Sequence, residues 1–283
     1  GLWYGEGGHT EESWIADWEM LAARYADDPT VIGADLHNEP HAGTWGGGGP
    51  TDWARAAEAA GDAIGAVNPN WLILVEGVGA YQGDSYWWGG ALQGVRDRPI
   101  ELEISDKLVY SPHDYGNSVH AQPWFQQDGF EDDLPDIFRE AWGFIQEEGI
   151  APVLLGEFGT RLEDPKDTPW FEALTAYIAG DYDHDGDLDL RPGEEGMSWT
   201  YWSWNPNSGD TGGILADDWR TVHDDKLAYL EPLQFDLPAG GGNARAVFDV
   251  TLSAASDAEI TVGWRTLQGS ADESDYEGAA GLL

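Results

Sequence analysis

Cysteine is absent from all 283 residues, which excludes disulfides and thiolate metal sites and leaves the redox compartment open. Basic residues are scarce: 13 Lys plus Arg face 53 Asp plus Glu, for a formal net charge of −40. Lys107, Lys166 and Lys226 are the lysines. Such a chain repels nucleic acid and anionic membranes, because affinity for either rests on cationic side chains meeting phosphate. No apolar run approaches the roughly 18 residues that a membrane span requires. No G-x-G-x-x-G phosphate loop is present. The first residues, Gly1-Leu2-Trp3-Tyr4, carry no basic segment followed by an apolar one, so no signal peptide is visible.

What is present points to a folded domain. Hydrophobic residues make up 41% of the chain, enough for a sizeable core. Carboxylates are spread over helical and loop segments rather than gathered in a tail. That spread predicts adaptation to high salt, where mobile ions screen self-repulsion. Sixteen tryptophans suit either a core or a sugar-binding cleft, since the indole face matches the C–H face of a pyranose.

Periodicity organises most of the length. Residues 11–28 read as an amphipathic helix, with Trp14, Trp18, Leu21 and Tyr25 on one face and Asp28-Pro29 as its end. Residues 30–40 form a short apolar run that finishes in polar residues, the pattern of a strand buried on both faces. Helix 51–67 precedes strand 72–77, and a loop-rich stretch leads to strand 108–115. Helix 133–148 precedes strand 152–159, and helix 168–179 precedes strand 197–205. Each strand starts apolar and ends polar (HNEP, EG, PHDY, GEFG, WSWN), which predicts a parallel α/β domain with its chemistry at the strands' carboxyl ends.

The fold expected is a (β/α)8 TIM barrel lacking roughly its first three strands, because only five strands are visible and closure takes eight. The domain is expected over residues 1–237, with a linker at 238–243 (PAGGGN). A partial antiparallel β module is expected over 244–283, where Phe248/Val250/Leu252 and Ile260/Val262/Trp264 alternate with polar or small neighbours.

Two carboxylates stand at the ends of candidate strands: Glu39 in LHNEP and Glu157 in GEFG. Glycoside hydrolysis uses such a pair, one to protonate the departing oxygen and one to attack the anomeric carbon. A lone Glu at a strand end is as readily an exposed carboxylate or a helix cap. Asn-Glu-Pro followed by GEFG in the right order is more specific.

Six stretches, DLHNEPH (35–41), NPNWLILVEGV (68–78), GDSYWWGGALQGV (83–95), LVYSPHDY (108–115), APVLLGEFGT (151–160) and WSWNPNSGDTGGIL (202–215), resemble glycoside hydrolase family 5, closely the bacterial endoglucanase type. The resemblance spans residues 2–233. It implies retaining, endo-acting hydrolysis of β-1,4-glucan, with Glu39 as acid/base, Glu157 as nucleophile and no cofactor. It implies that Asn38 contacts the sugar 2-hydroxyl, that His113 and Tyr115 line the site with Tyr115 orienting the nucleophile, and that Trp204 stacks on the sugar. Burial and a neighbouring carboxylate are expected to raise the pKa of Glu39, while hydrogen bonds keep Glu157 ionised.

The family also places an Arg and a His on early strands, which would lie upstream of Gly1. A chain without them is expected to be weakly active or inactive by itself, and a signal peptide for secretion is expected upstream. Mannan hydrolysis by the same carboxylates, or polysaccharide binding without catalysis, are the rival functions.

Two further motifs remain. D-x-D-x-D-G-D-x-D at 181–189 matches the start of a calcium loop, with Asp181, Asp183, Asp185 and Asp189 as candidate ligands, although Pro192 stands where a bidentate Glu is usual. An acidic surface loop reads equally well. The C-terminal piece resembles the first half of a Calx-beta domain, carried by Thr251-Leu252-Ser253 and Ser274-Asp275-Tyr276.

Overall fold

The computed structural model describes residues 1–234 and, beyond them, the backbone of 263–265 and 280–282. Two compact units divide at Leu233 and Gln234.

In the first unit, helix α1 (Glu11–Arg24) opens on a reciprocal cap. The Thr10 hydroxyl accepts from the Ser13 amide at 3.2 Å, and the Ser13 hydroxyl accepts from the Thr10 amide at 2.9 Å. Glu11 and Glu12 in the first turn and Arg24 in the last complement the helix dipole. Trp14, Trp18, Leu21 and Tyr25 do share one face, but all four are only half-buried, and Ala22 is the residue of α1 that is fully covered.

Strand β1 (Gly33–Asp35) follows, then α2 (Trp53–Val67), whose Asp52 cap accepts the Arg55 amide at 3.0 Å. Next come β2 (Leu72–Val75) and a small hairpin, β3 (Ala80–Tyr81) with β4 (Asp84–Ser85). The expected strand 108–115 is two pieces, β5 (Leu108–Tyr110) and β6 (His113–Tyr115), since Pro112 has no N–H to give the ladder. Helix α3 (Phe130–Phe138) passes through one π turn (Arg139–Gly143) into α4 (Phe144–Glu147). The expected helix 133–148 therefore begins three residues earlier and is interrupted. β7 (Leu154–Leu155) and β8 (Glu157–Gly159) flank Gly156. α5 (Asp167–Ala179), β9 (Ser198–Trp199) and α6 (Asp224–Leu230) complete the unit. The hairpin and α6 have no counterpart in the sequence reading, and strand 197–205 contracts to two residues.

All five staves run parallel and lie side by side in chain order. β1 pairs with β2 and β2 with β5. A bridge from Tyr110 to Val153 joins the third stave to the fourth, where β6 also pairs with β8, and β7 pairs with β9. A doubly wound sheet reverses its strand order at a switch point; this one does not, which is the winding of a barrel. Among the described residues, β1 and β9 have no strand on their outer edges. Trp53, Tyr110, Trp142, Phe158 and Trp170 are fully buried around these staves.

In the second unit, β10 (Gly263–Arg265) pairs antiparallel with β11 (Ala280–Leu282). Of the expected strand at 260–264, residues 263–264 fall in β10, and residues 260–262 lie outside the described residues. The linker 238–243, the strand at 248–252 and the Thr251-Leu252-Ser253 and Ser274-Asp275-Tyr276 motifs lie outside the described residues.

Candidate active site

Side chains at the carboxyl ends of the staves converge. His113 opens β6 in register with Glu157, which opens β8, so residues 44 apart in sequence become neighbours across adjacent strands. Tyr115 lies two residues further along β6 and faces the same way as His113. Its hydroxyl donates to Glu157 Oε2. Asp114, between them, points to the opposite face. There it accepts from Tyr86 Oη at 2.5 Å, Trp170 Nε1 at 2.8 Å and Trp142 Nε1 at 3.3 Å. Burial pushes Asp114 up to about 7 against the pull of these donors.

Glu39 arrives from the loop after β1 with φ 49°, a left-handed conformation that costs a non-glycine residue on the order of 1–3 kcal/mol. Its amide donates to Glu76 Oε2 at 2.7 Å. His113 Nδ1 lies 3.1 Å from Glu39 Oε1 and 3.3 Å from Glu157 Oε2, and its Nε2 lies 3.5 Å from Glu76 Oε1. Burial disfavours charge on His113, but the Glu39, Glu76 and Glu157 carboxylates prevail and raise it to about 10. The surrounding carboxylates thus favour the imidazolium form, in which both nitrogens donate. Glu157 is pushed up by burial and pulled down by His113 and Tyr115, leaving it above the ordinary carboxylate value. The sequence reading expected hydrogen bonds to keep Glu157 ionised; the Tyr115 bond does pull in that direction, but burial outweighs it.

One carboxylate oxygen each of Glu39 and Glu157, with one nitrogen of His113, lie within 4.8 Å of one another. A charged His113 presents N–H groups rather than a lone pair, so this trio suits a sugar better than a cation. Around it opens a cleft of about 730 Å³, whose lining includes Asn38, Trp87, Trp88, Tyr115, Gln122 and Trp202.

Trp204, which the resemblance implies as the stacking platform, is 63% exposed and is not among the residues lining this cleft, whereas Trp202 is. The strand predicted through 205 ends at Trp199, so both indoles stand on loop rather than strand. Glu76, which is buried, was missed, although VEG at a strand end is the same signal as HNEP and GEFG.

In the acidic loop, carboxylate oxygens of Asp181, Asp183 and Asp185 come within 4.8 Å of one another. Asp189 does not join them; its Oδ2 accepts the Tyr182 amide at 2.8 Å. Asp181 is buried and accepts the amides of Asp185 and Gly186 at 3.1 and 3.0 Å.

Two close carboxylates at the mouth of a parallel barrel wall agree with the match to known proteins, in which residues 3–208 fit the cellulase family, glycosyl hydrolase family 5. The chain belongs to this family. Among family 5 relatives, an endoglucanase of Paenibacillus polymyxa is 52% identical over 236 residues, covering 81% of this chain and 56% of the relative. The major extracellular endoglucanase of Xanthomonas campestris pv. campestris is 41% identical over 240 residues, covering 82% of this chain and 46% of the relative. The chain thus spans about half the length of the curated relatives it matches. The catalytic domain of that Xanthomonas enzyme is 40% identical, with a TM-score of 0.72, covering 82% of this chain and 65% of that one. A cellotetraose complex of an endocellulase from Pyrococcus horikoshii is 41% identical, with a TM-score of 0.73 and the same coverage. These neighbours share the (β/α)8 barrel fold.

Proposed function

We propose that a protein carrying this chain hydrolyses β-1,4-glucan by retaining double displacement. The observation that supports it most is the approach of Glu39 and Glu157 to within 4.8 Å. Retaining glycosidases hold their carboxyl groups about 5–5.5 Å apart, and inverting ones about 6.5–9.5 Å. Glu157 attacks the anomeric carbon while Glu39 gives its proton to the departing glycosidic oxygen. A glycosyl ester on Glu157 results. Glu39 then takes a proton from water, the hydroxide so formed attacks the same carbon, and Glu157 is released; one water is consumed per linkage. Two carboxylates and water account for every bond and proton, so no cofactor enters.

The open cleft favours endo action, because a chain can lie through it. Trp202 is the proposed stacking platform, and Asn38 the proposed contact to the 2-hydroxyl. Endoglucanase relatives support glucan over mannan. Cellulose is an insoluble polymer, so the reading carries an extracellular setting.

The test is hydrolysis of carboxymethyl-cellulose, with product configuration followed by proton NMR. Glu157→Gln is expected to lower kcat by at least about a thousandfold while polymer binding persists. Turnover unchanged by that substitution, or products of inverted configuration, would overturn the mechanism. A preference for mannan would move the specificity, and binding with no turnover in the unsubstituted protein would favour a binding role.

A further inference from the structure

Glu76 takes no part in the bond changes above, yet it touches both groups that organise them. It follows β2 and is 2% exposed. Trp53 Nε1 donates to its carbonyl at 2.8 Å, and Gly77 donates to the Gly89 carbonyl at 2.6 Å, so its backbone is fixed from two sides. Its carboxylate is confined as well. A Cβ on Gly89, which has φ +78°, would sit 2.6 Å from Glu76 Oε2 and 3.1 Å from the His113 ring. Only glycine leaves room there. Oε2 is spent on the amide of Glu39, and Oε1 faces His113 Nε2.

Two needs meet at this carboxylate. The left-handed backbone of Glu39 must be held, and an acceptor for its amide does so beside the His41 amide, which donates to the Glu39 carbonyl at 2.6 Å. His113 must also keep one charge state while its neighbours change theirs. Glu39 begins the cycle protonated and Glu157 ionised; in the ester Glu157 is neutral and Glu39 is ionised. An imidazole free to lose its proton would compete in these transfers. The groups facing His113 are Glu39, Glu157, Glu76 and Asp35, with the Tyr115 hydroxyl beside Glu157. Asp35 also accepts from Ser111 Oγ at 3.1 Å, and burial, then the Glu76 charge, push its carboxyl well above the usual carboxylate range. Glu76 is thus the carboxylate that touches both His113 and the Glu39 amide without a part in the bond changes.

We infer that Glu76 is a positioning residue for the hydrolytic pair, holding Glu39 through its amide and keeping His113 charged as the bridge between Glu39 and Glu157. The inference rests on the reading of these two glutamates as the reacting pair, but its first readout does not.

The experiment is long-range proton–nitrogen NMR of His113 in the 15N-histidine-labelled chain over about pH 5–10, with and without Glu76→Gln. That substitution is isosteric and keeps an acceptor for the Glu39 amide. In the unsubstituted chain His113 is expected to stay doubly protonated to about pH 9, and in Glu76→Gln to titrate at least about one pH unit lower. In the active protein Glu76→Gln is expected to lower kcat about tenfold or more, with KM within about twofold and the alkaline limb of kcat moved to lower pH. Titration of His113 near its ordinary value of about 6.5 in the unsubstituted chain overturns the inference without any variant. So does an unshifted titration in a Glu76→Gln protein that melts cooperatively. A chain with the expected titration but no glucanase activity would sink the proposed function and leave the charge assignment standing.

Discussion

The middle of the stave arc and its first edge are built from similar residues to different standards. Behind β6 and β8, Trp142, Trp170 and Phe158 are fully buried, and two indoles and a phenol converge on Asp114. Behind β1, Trp14 and Trp18 are only half-covered. Their indoles both donate to the Leu36 carbonyl, at 3.2 and 3.1 Å, on an edge that no strand occupies among the described residues. His113, Tyr115 and Glu157 therefore stand on a wall that packing makes rigid. Glu39 stands on one that packing covers less, and the buried Glu76 carboxylate holds its amide. A site of this kind is no more ordered than its least supported member.

The difference can be broken first at the tryptophans. Trp170→Ala is expected to cost about 3–5 kcal/mol in urea unfolding, against about 1 kcal/mol for Trp18→Ala. Equal costs would abolish the distinction between wall and edge.

Asp114→Asn comes next, at about 1–3 kcal/mol, because one amide oxygen cannot serve all three donors. Its pH dependence sharpens the point. A carboxyl whose folded pKa is raised to about 7 binds its proton more tightly when folded. The stability it contributes is fully present below its unfolded value, near 3.8, and is lost as pH rises through about 7. The advantage of the natural chain over Asp114→Asn, measured by unfolding at a series of pH values, should be greatest in acid and shrink towards neutrality.

The smallest effect separates two exposed indoles beyond β9. Trp202→Ala is expected to lower kcat/KM about tenfold, as for an aromatic contact of roughly 1.5 kcal/mol, and Trp204→Ala to leave it within about twofold.

What could be read in the sequence follows from where each signal is local. Glu39, His113, Tyr115 and Glu157 end or begin apolar runs, and such runs become parallel staves whose carboxyl ends share one mouth. Glu76 carries the same signature but no second motif, and its worth lies in contacts to residues 37 positions before and 37 after it, which no local pattern records. Trp204 came from the resemblance and not from a local pattern, and beyond Trp199 the chain is loop that puts Trp202, not Trp204, on the cleft lining. The breaks at Pro112 and Gly156 were written in the residues themselves. The π turn at 139–143 was not expected, although it ends on Gly143 and begins four residues after Pro135.

The carboxyl groups of Glu39, Glu76 and Glu157 gather about His113, so acidic side chains outnumber the basic one at the mouth of the barrel. A neutral sugar gains little from that field on arrival. The same sugar gains most at the instant its ring carbon turns electron-poor, with the bond to the next unit stretched and no replacement yet formed. On the proposed function, the cleft would be indifferent to the polymer it holds and selective for the moment of cleavage.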